Sequence, residues 1–348
     1  MTSIPDQPIE GPEAWTAAEL AADDGWIHNL DADEVAELRS AVAGAKDVGL
    51  DTFHFGRDDF SLPTLAQRLG GIMADVEQGR GCALIRGLDP AAYDLDDLKL
   101  LYWGLGVHMG TPISQNARGD LVGSVRDSGK SYNGINVRGY TTSAALPPHC
   151  DPADTVSLLC VEAASAGGES LIASAVAVFN EILATEQELL PPLFEGFHFD
   201  LRGEGTTGDP MEVTRHPVPV FHWHAGKLSC RYNRRTIMDG QRKAGAPLEG
   251  VALRAVDRVA QLADDDRFRY EMTFRPGDIQ ILSNHNVLHF RRAFENGAEA
   301  GSARHLLRLW ANVDDDIARP LRPEFAERLN NGPRGGVYVT EDHAGWVP

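Results

Sequence analysis

From about Gly119 onward the chain breaks into short runs rich in Val, Ile, Leu and Thr, each closed off by Gly, Pro, Asn or Asp. This punctuation restricts the fold more than any other feature. Segments such as "DTVSLLCVEA", "ESLIAS", "PVPVFHWH", "KLSCRYN", "YEMTF", "DIQILSN", "NVLHF" and "RHLLRLWAN" have the length and composition of strands. Two helix-like stretches, "SAVAVFNEILATE" and "APLEGVALRAVDRVAQLADD", interrupt them. Strands therefore do not alternate regularly with helices, as a doubly wound sheet would require. The pattern predicts an antiparallel sandwich or jelly roll decorated with helices.

Ahead of this region, residues 13–48 carry apolar positions at helical spacing, with Asp31 placed to cap "ADEVAELRSAVA". A second helix is expected from about Thr64 to Val76, a buried strand in "GCALIRGL", and a third helix in "LDDLKLLYWGLG". The fold class is mainly β with flanking helices. No repeat or low-complexity linker divides the chain, so residues 1–348 are expected to form a single domain. Residues 1–80 make a mostly helical flank, the β core starts near residue 80, and residues 313–348 form a C-terminal extension.

Charge and cysteine usage narrow the partners. A formal charge of −19 excludes nucleic acid and anionic membrane surfaces, which are bound through clustered Lys and Arg. Apolar runs such as "VSLLCV" fall far short of the roughly 20 residues of a membrane helix. The start lacks a secretory signal pattern, so a cytoplasmic location is expected. The four cysteines are widely spaced with no C-x-x-C, which points to reduced, buried thiols. A small-molecule partner is expected, and homo-oligomerisation is left open. The arginines gather in "CRYNRRT", "HFRRAF" and "RHLLRLW", and a local positive pocket in an acidic chain reads as a carboxylate site.

His149 and Asp151 in "LPPHCDPADTVSLLC" stand two apart. On a strand they would project together while Cys150 faces away. One imidazole and one carboxylate so placed can share a cation, and a second histidine would complete a facial triad with positions left open on Fe(II). A hydrogen-bonded loop entry is the structural alternative. The same H-x-D spacing recurs at His198 and Asp200, but there "ELLPPLFEGF" precedes it and the turn-like "LRGEGTTGDP" follows, so the first pair is preferred. In "RHLLRLW", alternation sets Arg304, Leu306, Arg308 and Trp310 on one face. Two arginines on a covered face imply an anionic partner, either protein carboxylates or a bound carboxylate.

Four motifs in order, "PHCD", "SAGGES", "NVLHFR" and "RHLLR", resemble the taurine dioxygenase (TauD/TfdA) and clavaminate synthase group of Fe(II)/2-oxoglutarate-dependent oxygenases over roughly residues 80–312. The resemblance implies a double-stranded β-helix (jelly roll) core. It makes His149, Asp151 and His289 the ligands of Fe(II), and Arg304 the clamp for the distal carboxylate of 2-oxoglutarate. Ser170 falls where the family usually has a threonine, keeping the hydroxyl. Arg308 matches a second arginine that faces the prime substrate in some members and supports the site in others. Asp151 retains the carboxylate that halogenases of this type lack, which disfavours halogenation. In relatives the segment "MGTPISQNARGDLVGSVRDSGKSYNG" lies over the substrate pocket, so Gln115, Asn116 and Asn133 are candidate substrate contacts, against the alternative of a solvated loop.

The implied activity consumes 2-oxoglutarate and O2, releases succinate and CO2, and hydroxylates a small molecule such as an amino acid, organic acid or specialised metabolite. Desaturation, cyclisation or C–heteroatom cleavage are alternative outcomes, and a non-catalytic iron or 2-oxoglutarate sensor is the alternative class. A protein-borne or carrier-tethered amino acid is a third substrate reading, which the net acidity disfavours for an acidic carrier. Other motifs carry less. "HWH" at His222 and His224 has no accompanying carboxylate. His285 precedes His289 by four residues, a spacing that needs a helix where strand is expected. "SAGGES" lacks the Lys-Ser/Thr of a phosphate loop, and no G-x-S-x-G marks a hydrolase nucleophile.

Overall fold

Two capping boxes begin the N-terminal helices. Thr16 caps α1 (Ala17–Ala22) with Glu19, and Asp31 caps α2 (Ala32–Asp47) with Glu34, satisfying N–H groups that a first turn leaves free. The computed structural model describes residues 4–50, 53, 55–129, 139–297, 303–322, 336–337 and 339. Between the two helices, β1 (Ile27–Asn29) pairs parallel with β2 (Cys82–Arg86). Residues 13–48 are therefore not helical throughout. Trp26 is 1% exposed and meets Tyr270 edge-on at 5.4 Å, and burying that indole outweighs the local helical period.

The chain continues through α3 (Leu65–Gln78), α4 (Leu95–Met109), β3 (Thr111–Pro112), β4 (Val122–Val125) and β5 (Leu146–His149). Next come β6 (Thr155–Glu162), β7 (Ala166–Gly167), β8 (Ser170–Ser174), α5 (Ala175–Thr185) and α6 (Leu190–Glu195). β9 (Phe221–His224) and β10 (Lys227–Cys230) form a hairpin, followed by α7 (Arg234–Lys243) and α8 (Gly250–Ala263). The last strands are β11 (Tyr270–Met272), β12 (Ile279–Ser283), β13 (Val287–Arg291), β14 (Phe294–Glu295) and β15 (His305–Asn312).

Two sheets face each other as a jelly-roll core. Among the described residues the larger has the order β1-β2-β12-β6-β15-β3, with β4 also on β15, and the smaller the order β11-β8-β13-β5. Between them lies an apolar cluster with Leu84, Val156, Leu282, Leu306 and Trp310 from the large sheet and Ile172, Met272 and Val287 from the small one. The outer face of the large sheet, with Leu159, Ile281, Leu307 and Leu309, packs on α2, α3 and α4. The outer face of the small sheet packs through Leu171, Ala173, Leu288 and Phe290 on α5, α6 and α8. Each fully buried Leu, Ile or Phe here contributes about 1.5–3 kcal/mol. Both sheets are thus covered on both faces, and the alternation in "RHLLRLW" sorts Leu307 and Leu309 to the helices and Leu306 and Trp310 to the sandwich.

Besides the two-residue strands β3, β7 and β14, the elements that escape the sequence reading are β4 within the polar segment after α4, the edge strand β1, and α7 directly after "CRYN". From the C-terminal stretch, Val337 is buried in the sandwich cluster, its N–H donating to the Ser114 carbonyl at 3.1 Å, and the Gly336 N–H donates to the Pro152 carbonyl at 2.6 Å. The four cysteines are buried and none is joined in a disulfide.

Candidate functional site

β5 and β13 run antiparallel with His149 directly opposite His289, so the two imidazoles stand side by side, ring centres 4.3 Å apart. β5 ends at His149; Cys150 and Asp151 lie just past it. Their orientation comes from backbone anchors rather than from strand pleating. The Cys150 N–H donates to the Tyr232 carbonyl at 2.7 Å, and the Asp151 N–H to Asn284 Oδ1 at 2.8 Å. Cys150 is thereby buried in the core beneath the small sheet while the Asp151 carboxylate meets the histidines. Its Oδ1 is 3.9 Å from His149 Nε2 and its Oδ2 3.7 Å from His289 Nε2. One ligand atom from each of the three residues lies within 4.8 Å of the others, the sole such group of His, Cys, Asp and Glu among the described residues. The donor set suits Fe(II) with positions left open.

The surroundings fix protonation. His149 Nδ1 lies 2.9 Å from the Pro147 carbonyl, which can only accept, so Nδ1 carries the proton and Nε2 is free to ligate. Burial, then the neighbouring His289, push the His149 pKa down to about 4. At Asp151, burial works to raise the pKa, but the Arg308 guanidinium 3.7 Å away and the two histidines outweigh it and hold the carboxyl well below the usual range. Trp310 Nε1 donates to Asp151 Oδ2 at 2.8 Å. The carboxylate is therefore held ionised and aimed.

On the β8 side of this centre lies Arg304, just before β15. It is 4% exposed, stands over the Phe294 ring at 5.2 Å, and burial lowers its pKa to about 10. Its Nη1 is buried with no hydrogen-bond partner among the described residues, and the side chain lines the same cavity as the triad. Ser170, also on the cavity wall, donates Oγ–H to Gln280 Oε1 at 2.8 Å. The double glycine before it is a close-packed turn: at Gly167, φ +71°, a Cβ would lie 2.2 Å from the Ala293 carbonyl oxygen, and at Gly168, φ +76°, 3.1 Å from Arg304 Nε.

Arg308 lines the cavity too, but its Nε donates to Gln115 Oε1 at 2.7 Å and its guanidinium lies over Tyr140 and Trp310, at 4.4 and 4.6 Å from the ring centres. Gln115, expected at the substrate, is instead 1% exposed and outside the cavity wall. Its Nε2 donates to the Leu121 and Arg308 carbonyls, so the amide props Arg308. Asn116 is likewise turned away: its Oδ1 accepts from the Arg118 and Asp120 N–H groups and its Nδ2 donates to Asp120, closing a local turn. Asn133 lies outside the described residues.

The second H-x-D pair is separated by its fold. His198 Nδ1 faces the Thr214 carbonyl at 2.8 Å, whereas Asp200 lines the cavity and is held at 2.6 Å by Lys243 Nζ. His285 is fully buried with Nε2 2.9 Å from Asp154 Oδ1, and Asp154 also accepts from the Val313 N–H; the pair ties a turn to the large sheet. Residues not singled out from sequence include Asn284 and Trp310, which hold Asp151, and Arg202, Arg231, Arg235 and Arg291 on the cavity wall. The crowding of arginines in "CRYNRRT" and "HFRRAF" was the available signal for three of them.

The family model "Taurine catabolism dioxygenase TauD, TfdA family" matches residues 46–310. The chain is similar to FR-33289 synthase of Streptomyces rubellomurinus, 33% identical over 319 residues that cover 90% of this chain and 93% of that one. It is also similar to the taurine hydroxylase-like protein SAT17 of Stachybotrys chartarum, at 27% identity over 91% of this chain and 83% of that one. Among solved structures, asparagine oxygenase in complex with Fe(II), 3-hydroxyasparagine and succinate superimposes with a TM-score of 0.65 at 17% identity, covering 86% of this chain and 97% of that one.

Proposed function

The chain belongs to the TauD, TfdA dioxygenase family, and on that premise we propose that it is an Fe(II)- and 2-oxoglutarate-dependent dioxygenase that hydroxylates a small molecule. The observation that carries this reading is one cavity lined both by the His149, Asp151 and His289 cluster and by a buried arginine, Arg304, whose Nη1 has no hydrogen-bond partner among the described residues. A buried unpartnered guanidinium nitrogen is costly to leave unmatched, and the distal carboxylate of 2-oxoglutarate supplies the matching charge. Iron held by the three side chains supplies the redox chemistry, in which 2-oxoglutarate and O2 become succinate and CO2 and one oxygen atom passes to the substrate.

The protein's own residues then do defined work. Asp151, kept ionised by Arg308 and oriented by Trp310 and Asn284, would be the anionic ligand of the metal and would offset part of its charge. Nδ1–H of His149 on the Pro147 carbonyl presents Nε2 to the metal. Arg304 and Ser170 orient the cosubstrate, and the Phe294 ring shields the guanidinium from water, which strengthens its charge-assisted bonds. A small substrate fits a cavity of this lining, and no helix among the described residues is long and apolar enough to cross a membrane.

The test is succinate release from 2-oxoglutarate by purified protein with Fe(II) and O2. Release is expected from the parent and from His198→Ala, and not from His149→Ala; loss in both variants with the fold intact would contradict the assignment of the metal pair.

A further inference from the structure

β12 carries a polar side chain where its neighbours are apolar. Gln280 stands opposite Leu84 of β2 on one side and Leu158 of β6 on the other, and shares its face of β12 with Leu282, on the side of the large sheet that meets the sandwich cluster. Its amide is thus buried, 1% exposed, among leucines, a setting in which an amide is kept only where its hydrogen bonds are met. The tip crosses the sandwich to two residues paired on the small sheet, Ser170 of β8 and Met272 of β11. Oε1 accepts the Ser170 hydroxyl at 2.8 Å, and Nε2 donates to Met272 Sδ at 3.2 Å. The first is a full hydrogen bond; the second spends an N–H on a thioether, a weak acceptor.

Gln280, Ser170 and Arg304 all line the cavity, and Ser170 lies two residues beyond Gly168, where a Cβ would come within 3.1 Å of Arg304 Nε. With its one proton donated to Gln280, the hydroxyl offers a carboxylate beside Arg304 only its oxygen lone pairs, which repel it. We propose that Gln280 is a positioning residue for the cosubstrate. It parks the Ser170 hydroxyl in the ligand-free protein and, when 2-oxoglutarate enters, turns its amide to donate N–H to Ser170 Oγ, which frees the O–H for the distal carboxylate. The inference rests on the reading of this cavity as the 2-oxoglutarate site. An amide suits the task because it carries an acceptor and a donor at one end, so the contact with Ser170 survives the exchange of roles. The only bond given up in turning is the one to sulfur, so the turn costs little.

The test is anaerobic titration of Fe(II)-loaded protein with 2-oxoglutarate and, separately, with 2-oxopentanoate, which has a methyl group in place of the distal carboxylate; the visible iron–keto acid band reports both. Gln280→Met removes the amide at nearly constant length, and Gln280→Asn keeps it but falls one methylene short of Ser170. Each is expected to weaken 2-oxoglutarate about three- to tenfold, the worth of one neutral hydrogen bond, and to leave 2-oxopentanoate within about twofold. Introduced into Ser170→Ala, where the hydroxyl they act through is gone, the same substitutions are expected to cost less than about twofold further. An equal loss for the two keto acids, a full-sized further loss in the Ser170→Ala protein, or unchanged 2-oxoglutarate affinity in both Gln280 variants would overturn the proposal. Parent protein that shows no band with either keto acid would instead contradict the oxygenase reading on which the inference stands.

Discussion

At Asp151 burial and charge oppose each other, and charge prevails: Arg308 at 3.7 Å and the two histidines keep ionised a group that desolvation alone would neutralise. Arg304 is the reverse case, a buried cation with an Nη1 left without a hydrogen-bond partner among the described residues. Arg304→Ala is accordingly expected to weaken 2-oxoglutarate by about 2–5 kcal/mol while Fe(II) affinity stays within about threefold, because one side of a buried charge-assisted pair is removed and the metal cluster is untouched. Equilibrium dialysis of each ligand separates the two effects, and equal loss of both would point to general disruption. His149, Asp151 and His289 were legible because each sits in a short motif whose order along the chain could be matched, and the same order points to Arg304 and Ser170, which line the same cavity. Gln115 was misread for a physical reason. A polar residue in a polar segment looks free for a ligand, yet its partner, Arg308, lies 193 residues away.

Among elements, α7 was the least visible. Its buried residues are Thr236, Ile237 and Gly240, too short an apolar stripe within "RRTIMDGQRK" to register as periodic. What holds the helix in place is close backbone approach: a Cβ on Gly240 would lie 2.3 Å from the His198 carbonyl oxygen and 2.6 Å from the Asp200 nitrogen. Gly240→Ala is expected to cost about 1–3 kcal/mol of stability, since the neighbour is backbone and must shift. Gly44→Ala in α2, where no atom lies within 4 Å of the added Cβ, is expected to add about 0.5–1 kcal/mol. Denaturant midpoints of the two variants check the contrast, and a loss at Gly44 as large as at Gly240 would contradict it. The strands were easier to read than α7 because their cores are buried apolar runs, whereas β1 and β4 are short and mostly not fully buried, with little composition to mark them.

For the molecule as a whole, the layering of helices, sheet, sandwich core, sheet and helices follows from strands apolar on both faces, and the punctuation after Gly119 carried that much. Net charge alone does not reveal that this acidic chain buries Arg291, Arg304 and Arg308 on one cavity wall, which only the clustering of arginines along the sequence hinted at. The same burial makes stability depend on pH. Burial first, then His289, lowers His149 to about 4, and burial with the Arg126 charge lowers His305 to about 4, both below the ordinary 6.5. Between those values the unfolded chain binds protons that the folded, metal-free protein refuses, so stability falls as pH drops from about 6.5 toward 4 and is insensitive to these groups above that window. Denaturant midpoints of metal-free protein at about pH 7 and about pH 5 should show the loss, and His305→Gln should make it shallower; an equal loss in that variant would assign the dependence elsewhere.

The central claim is tested most directly by anaerobic titration of metal-free protein with Fe(II) and 2-oxoglutarate, watching for the weak visible charge-transfer band of a keto acid chelated to iron. The band is expected in the parent and absent in Asp151→Ala. Well-folded parent protein that binds neither ligand and shows no band would contradict the account.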